Sequence, residues 1–484
     1  MRQACNPFLL VNGERPERPH ALYAVLDQAS LVGLVEKQGL QRLVFSATDA
    51  ERFDRIWFEF QEPISRGRFA DFYRALPIFL LEVELSPDGV RKLLLAGTGT
   101  FDSSDQSAPE KDFTPDDVAH GLVDLEGRWK KIVLAEGQQP GAGAELYDNL
   151  FGAAINVAIA RVEDVSAERS DQLDKADPLT YRDEAKETEI RAALESAGQI
   201  DHIVVLDVGQ GGANGLVSGR NIVAYFDFGG GVTSHKATFP PNLSKFCFCA
   251  PDVPIILSHW DHDHWSSEGR DTRAHYKTWI APKQSGTWSK KKAAFHNSAL
   301  ITSITTHGTL LLWPSSLPSL TVGQITIWKG LGASRNASGL ALTIAPPTGD
   351  TALSPVLLPA DAVYADLPLG AMPKDYDAIG CPHHGGPVAQ TTIPAATSAT
   401  YRRLIYSYGH NNSYGHALQQ TRQDHDGKGW RDPKAVPAKP PSMVRQTEDR
   451  ALSGLGHIGF DWGQGLSAGS QGCGGGCPVG VQQV

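Results

Sequence analysis

The stretch Ile256 to Trp265 reads ILSHWDHDHW and sets three histidines and two aspartates in six consecutive positions, directly after an apolar run. Burying that many ionisable groups without partners costs on the order of several kcal/mol per charge. The stretch therefore predicts a cation held at the end of a buried strand. Its spacing is His259-x-Asp261-x-Asp263-His264. In a loop leaving a strand, side chains at alternate positions turn toward one point, and the adjacent Asp-His pair reaches a second point nearby. Imidazole and carboxylate together suit zinc, manganese or iron, and the share of oxygen leans away from thiophilic sites. The plain alternative, a surface histidine run, fits poorly with a segment that continues a buried strand.

Working outward, the same pattern recurs. HIVVLDVGQGGANGLV (His202 to Val217) is an apolar strand running into a glycine-rich loop, and NIVAYFDFGGG (Asn221 to Gly231) repeats it with Asp227 before the glycines. SPVLLPADAVY ends at Asp361, YDAIGCPHHGG ends at His383 and His384, and YRRLIYSYGHNNSYGH follows. Strand ends that each release Asp or His imply a sheet whose loops converge on one site. GQGGANG lacks the Walker Lys-Ser/Thr and the dinucleotide spacing, so it reads as a turn beside that site.

These segments resemble the metallo-β-lactamase-fold hydrolases, and within them the hydrolase domain of ComEC-type DNA-uptake proteins. The likeness lies in LDVGQG (Leu206 to Gly211), SHWDHDH (Ser258 to His264), NASGLAL (Asn336 to Leu342), ADA (Ala360 to Ala362), PHHGG (Pro382 to Gly386) and NNSYGH (Asn411 to His416), in that order. It implies an α/β fold, a metallo-β-lactamase-like αββα sandwich, with one or two divalent ions, zinc or manganese, at one edge. Carried over by position, His259 and Asp261 form one metal subsite, and Asp263, His264 and His383 the other, with Asp361 bridging. His384 stands as the alternative to His383 and is otherwise a substrate contact. Most lactamase-like members carry His where Asp261 stands and a further His before the bridging aspartate, where this chain offers Asn336 and Ser338. The ComEC-type pattern shares both changes, and the first subsite is left short of nitrogen ligands.

The chemistry expected of such a site is hydrolysis by a metal-activated water. Asp263 or Asp261 orients the water, and His416 serves as proton donor or phosphate contact with Asn412 and Tyr414 beside it; a structural histidine is the competing reading of His416. From Gly269 to Ser298, Arg270, Arg273, Lys277, Lys283 and Lys290, Lys291 and Lys292 interleave with Tyr276, Trp279 and Trp288. Cations neutralise phosphates and aromatics stack bases, which favours a phosphodiester substrate, nucleic acid or nucleotide, over a merely solvated lysine-rich face. The alternatives are a lactone, thioester or amide hydrolase of the same fold, or a non-catalytic binding or scaffold protein.

The 484 residues suffice for two or three domains. Residues 1–160 alternate apolar and polar segments and predict a mixed α/β or α+β module that docks a protein partner or regulates access. Residues 161–199 predict a charged linker helix, 200–462 the hydrolase domain, and 463–484 a flexible glycine-rich tail. Residues 1–200 hold 22 Lys and Arg against 35 Asp and Glu, a net −13, which leaves +3 for the remainder, where the histidine cluster lies. The six cysteines form no disulfide framework or CxxC zinc pattern. With no long apolar run and no leader-like N-terminus, the expectation is a cytoplasmic protein without membrane contact.

Overall fold

A computed structural model gives the three-dimensional structure, which describes residues 18–30, 41–60, 69–85, 128–135, 143–243, 245–284, 297–347, 353–372, 376–396, 402–431, 444–449, 456–460, 462 and 482–483. It is mixed α/β, with several sheets and few helices among the described residues. The chain divides into two compact units, Met1–Arg182 with Ser285–Ser303, and Asp183–Gln284 with Ile304–Val484. The segment expected as one linker helix, 161–199, holds the end of a strand and two short helices, Ala167–Lys175 in the first unit and Glu187–Glu195 in the second.

In the first unit six antiparallel strands close into a barrel, the last of them, Ile155–Asp164, running past the boundary expected at 160. Period-two alternation explains the closure. Leu22, Ala24 and Leu26 turn one way with Leu43, Phe45, Ala47, Phe79, Leu81 and Val83, while Tyr23 and Val25 turn the other way, onto Phe53, Ile56 and Phe72 of the helical segments.

The second unit carries two sheets. One runs, in spatial order, Thr309–Trp313, Thr278–Pro282, Ile255–Ile256, Asn221–Phe228, Ala213–Ser218, His202–Val205, Ile458–Phe460 and Gln482–Gln483. The other runs Ser319–Val322, Ile325–Lys329, Leu340–Ile344, Val356–Leu358, Ala378–Gly380, Arg403–Tyr406 and Val444–Gln446. They share one core, in which Val205, Leu216, Phe226, Ile256 and Ile280 of the first sheet pack with Ile327, Leu342, Val356, Leu358 and Ile405 of the second. Ile190 and Leu194 of the helix Glu187–Glu195 join that core.

Parallel pairing decides where the chemistry sits. Ile255–Ile256 is parallel to both Asn221–Phe228 and Thr278–Pro282, and the last four strands of the second sheet are mutually parallel. Parallel neighbours deliver their C-terminal ends to one edge. Asp227 is the penultimate residue of the strand Asn221–Phe228, and the segments after Ile256, Leu358, Gly380 and Tyr406 are those that carry the histidine cluster, Asp361, His383 with His384, and the loop to His416.

No helix among the described residues is long and apolar enough to cross a membrane. The tail beyond Trp462, Gln482–Gln483 apart, lies outside the described residues.

Leu342 is fully buried between the sheets. Leu342→Ala is expected to destabilise the second unit by about 2–5 kcal/mol, the range for a truncated core leucine. Urea unfolding followed by tryptophan fluorescence checks this, and an unchanged midpoint would show that the two sheets do not share that core.

Candidate metal centre

The histidine-rich loop is aimed by glycines. The amides of Gly212 and Gly230 both donate to the carbonyl of Asp263, each at 3.1 Å. A Cβ on Gly229 would lie 1.6 Å from that same carbonyl oxygen, so only glycine lets the second glycine-rich turn come this close. The glycine-rich segments after Leu206 and Phe228 thus lie against the turn His262–His264 and hold its backbone while its side chains project into the site.

Two groups of three potential ligands result. The ligand atoms of His259, His264 and Asp361 lie within 4.8 Å of one another, and so do those of Asp263, His264 and His384. All five residues are buried. His264 Nε2 is 3.1 Å from Asp361 Oδ1 and 3.2 Å from His384 Nε2, and His384 Nε2 is 3.5 Å from both Asp263 Oδ2 and Asp361 Oδ1.

The imidazoles are turned by what lies behind them. Asp227 accepts from the Ser258 amide at 2.7 Å and from the Ser258 hydroxyl at 2.9 Å, and pairs with His264 Nδ1 at 2.8 Å. Ser258 Oγ in turn lies 2.9 Å from His259 Nδ1, and His384 Nδ1 lies 2.7 Å from the Ser407 carbonyl. With Nδ1 engaged in each ring, Nε2 is the nitrogen presented inward, the arrangement that readies a histidine for a metal. His259 Nε2, Asp263 Oδ1 and Asp361 Oδ1 are buried without a hydrogen-bond partner. Three orphaned acceptors converging with paired carboxylates are what a divalent cation satisfies, so these residues fit one.

The electrostatics point the same way. Burial alone would raise the carboxyl of Asp361, but His264, His384 and His383 outweigh it and hold it well below the usual range. Asp263 is likewise held low against its burial by His264 and His384. Burial depresses His264, yet Asp361, Asp227 and Asp263 more than reverse this, and His384 is raised against its burial by Asp361 and Asp263. The surrounding carboxylates thus favour positive charge at this place.

Several sequence-predicted residues sit differently from one another. His384, rather than His383, joins Asp263 and His264; the His383 side chain is 41% exposed, with Nε2 3.7 Å from Asp361 Oδ2. Asp261 belongs to neither ligand group. One of its oxygens is 2.5 Å from Arg335 Nη1 and the other 3.3 Å from His259 Nε2. Burial would raise its carboxyl, but Arg335 and His259 hold it well below the usual range. His416 lies beside the site, its ring centroid 5.6 Å from that of His383 and 6.3 Å from that of His384. Burial, together with His383 and His384, holds it well below the usual histidine range, so it is a neutral imidazole. Asn412 donates to the carbonyls of Gly409 and His416 and accepts from the His416 amide, which makes it a brace of the loop. Tyr414 is stacked between His416 and His235, at 5.5 and 4.6 Å.

Within the basic stretch, Arg270 lies over Phe239 at 3.8 Å and donates to the Gly231 carbonyl, and Arg273 pairs with Asp271. Trp279 is fully buried, as is Trp265. Lys290, Lys291, Lys292 and Trp288 lie outside the described residues.

Sequence reasoning did not assign Asp227, Arg335 or His235 to the site. The signal for Asp227 was present, since it ends a strand before glycines as Asp361 ends one before its own turn. Arg335 and His235 carry none, because their partners are 74 and 178 residues away in the chain.

No family model matches the sequence, and no curated protein matches it.

Two outcomes follow from this geometry. Gly229→Ala is expected to displace the Asp263 turn and weaken zinc binding by about 10-fold or more, the scale seen when a supporting shell is disturbed. Calorimetric titration of metal-stripped protein measures it, and unchanged affinity would mean that the turn is not held as described. Because the imidazoles of His264 and His384 keep their protons above the usual histidine value of about 6.5, an ion must displace them. Apparent affinity should therefore rise with pH until those raised values are passed, then level off. Titration in two buffers of different ionisation enthalpy should record proton release, and none would contradict the assignment.

Proposed function

We propose that the second unit is a metal-dependent hydrolase of the metallo-β-lactamase type, with its two sheets and flanking helices forming an αββα sandwich, and that its substrate is a phosphodiester. The observation that carries this reading is the pair of buried ligand groups joined at His264 and flanked by Asp361, with orphaned atoms on His259, Asp263 and Asp361. A divalent ion there, zinc or manganese, would lower the pKa of a water toward about 7 and draw electron density from a phosphoryl oxygen.

The chain's own groups divide the remaining work. His259, His264 and His384 present Nε2 inward because Ser258, Asp227 and the Ser407 carbonyl engage Nδ1. Asp263 and Asp361 would bring negative charge to the ion, and Asp263 Oδ1, buried without a hydrogen-bond partner, is the oxygen able to accept a hydrogen bond from a water beside it and orient it. His416 contributes as a neutral donor to an anionic oxygen rather than as a charged acid, since its surroundings disfavour the imidazolium. Asn412 and Tyr414 hold its ring, by hydrogen bonds to its backbone and by stacking.

Of the cations that favoured a phosphodiester in the sequence, Arg270 and Arg273 have internal partners. Lys277 likewise donates to the Pro251 carbonyl at 3.2 Å, so the preference for phosphodiesters over lactones, thioesters or amides rests on the resemblance of the ordered motifs and on Lys283.

Metal-stripped protein incubated with labelled single- and double-stranded DNA and RNA, with zinc, manganese or magnesium restored, tests this directly. Cleavage is expected only with metal restored, and Asp263→Ala and His264→Ala should each reduce it to background. A metal-loaded protein that leaves all four polymers intact would overturn the nucleic-acid reading, and cyclic nucleotides and small esters would then be assayed.

A further inference from the structure

The two ligand groups cannot both be satisfied. They share His264, whose Nδ1 is taken by Asp227 at 2.8 Å, so a single nitrogen lone pair, on Nε2, faces both. An ion at Asp263, His264 and His384 claims it, with Asp361 Oδ1 alongside at 3.1 Å from His264 Nε2. What remains for a second ion is His259, the far oxygen of Asp361 at 3.6 Å from His259 Nε2, and Asp261, 3.3 Å from the same nitrogen. That position thus depends on Asp261.

Asp261, however, is already paired. Arg335 Nη1 lies 2.5 Å from its Oδ1, with both side chains buried. The arginine reaches it because the segment before the strand Leu340–Ile344 is laid against the end of the histidine strand. The Leu340 amide donates to the Ser258 carbonyl at 2.7 Å, and a Cβ on Gly339 would come within 2.6 Å of that oxygen. The Arg335 carbonyl accepts from Gln284 Nε2 at 2.6 Å, and the same amide nitrogen lies 2.8 Å from Ser338 Oγ. The backbone that carries Arg335 is therefore braced, and its buried guanidinium, paired with Asp261, is a positive charge beside the second position. A buried pair of this kind resists losing one partner, and a fixed cation repels another at close range.

Building on the metal reading, we propose that Arg335 is a positioning residue that withdraws Asp261 from the ligand set, so that the chain holds one ion tightly at Asp263, His264, His384 and Asp361 and a second only weakly at His259. Arg335 stands in place of the charge that a second tightly held ion would bring.

The test is titration of the metal-stripped full chain with zinc alone and with manganese alone, together with metal counting by mass spectrometry after gel filtration. The natural protein is expected to retain one ion. Arg335→Met should strengthen the second binding step by about 10-fold or more, the usual scale for a residue behind a ligand. Arg335→Lys, which keeps the charge, should retain one ion. Asp261→Asn should leave the first ion in place, and the double variant Asp261→Asn/Arg335→Met should lose the gain. Two ions retained with equal affinity by the natural protein would overturn the proposal, as would loss of the first ion in Asp261→Asn. If Arg335→Met fails to fold, the ion count of the natural protein and of Asp261→Asn still decides. A natural protein that binds no ion would fail the metal reading itself, an outcome distinct from two tight ions.

Discussion

Everything at the candidate metal centre hangs on the carboxylate of Asp227. It is buried at the end of its strand and gathers three groups, the amide and hydroxyl of Ser258 and the Nδ1 of His264. Through Ser258 it also sets His259. One side chain thus fixes where the histidine strand ends, how two imidazoles are rotated and which of their nitrogens face inward. A buried carboxylate left with fewer partners would carry a large desolvation cost, so these hydrogen bonds and the histidine orientation are mutually dependent. Asp227 takes part in neither ligand group, yet neither could keep its geometry without it.

Such a site is costly to build, and the backbone records part of the cost. Asp227, Ala360, His383 and His384 all have positive φ, between 48° and 61°. For residues with a Cβ this conformation costs roughly 1–2 kcal/mol each. Four such residues at strand ends around one site are held there by surrounding contacts, such as the His383 amide bonded to the Ala360 carbonyl at 2.9 Å. Strain concentrated in this way is what pre-organised binding sites show. The glycines serve the opposite need, since Gly211, Gly229 and Gly339 lie where any side chain would collide with the loops that carry the ligands.

Most of the residues that converge on the candidate site were legible in the sequence because they are local. His259, Asp263, His264 and Asp361 each follow a short apolar run, and a strand's direction is set by its own alternation and its turn. The choice between His383 and His384 was not legible, because it depends on two successive left-handed residues that rotate adjacent side chains in different directions. The pairing of Asp261 with Arg335 was illegible for another reason. It joins loops of two different sheets, and nothing in either loop alone specifies the other. The basic stretch shows the converse limit: Arg270 and Arg273 look like a phosphate-binding run in the sequence, but each has an internal partner that spacing does not reveal. In the first unit, the alternation of apolar and polar segments announced a mixed α/β or α+β module, whereas closure into a barrel required knowing that Ala21–Ala24 would pair with Lys130–Val133 across more than a hundred residues.

His416 shows how the surroundings select among chemical roles that residue type leaves open. A histidine near a leaving oxygen can act as a charged acid or as a neutral donor, and the choice turns on the field around it. Here burial comes first and two neighbouring imidazoles add to it, while Asp361 and Asp263 oppose them too weakly to reverse the balance. A divalent ion bound by those same carboxylates would consume their negative field and push His416 further toward the neutral form. The stacking of Tyr414 on one side and the Asn412 hydrogen bonds on the other then give a neutral ring a fixed direction, which a hydrogen-bond donor needs and a diffuse positive charge does not.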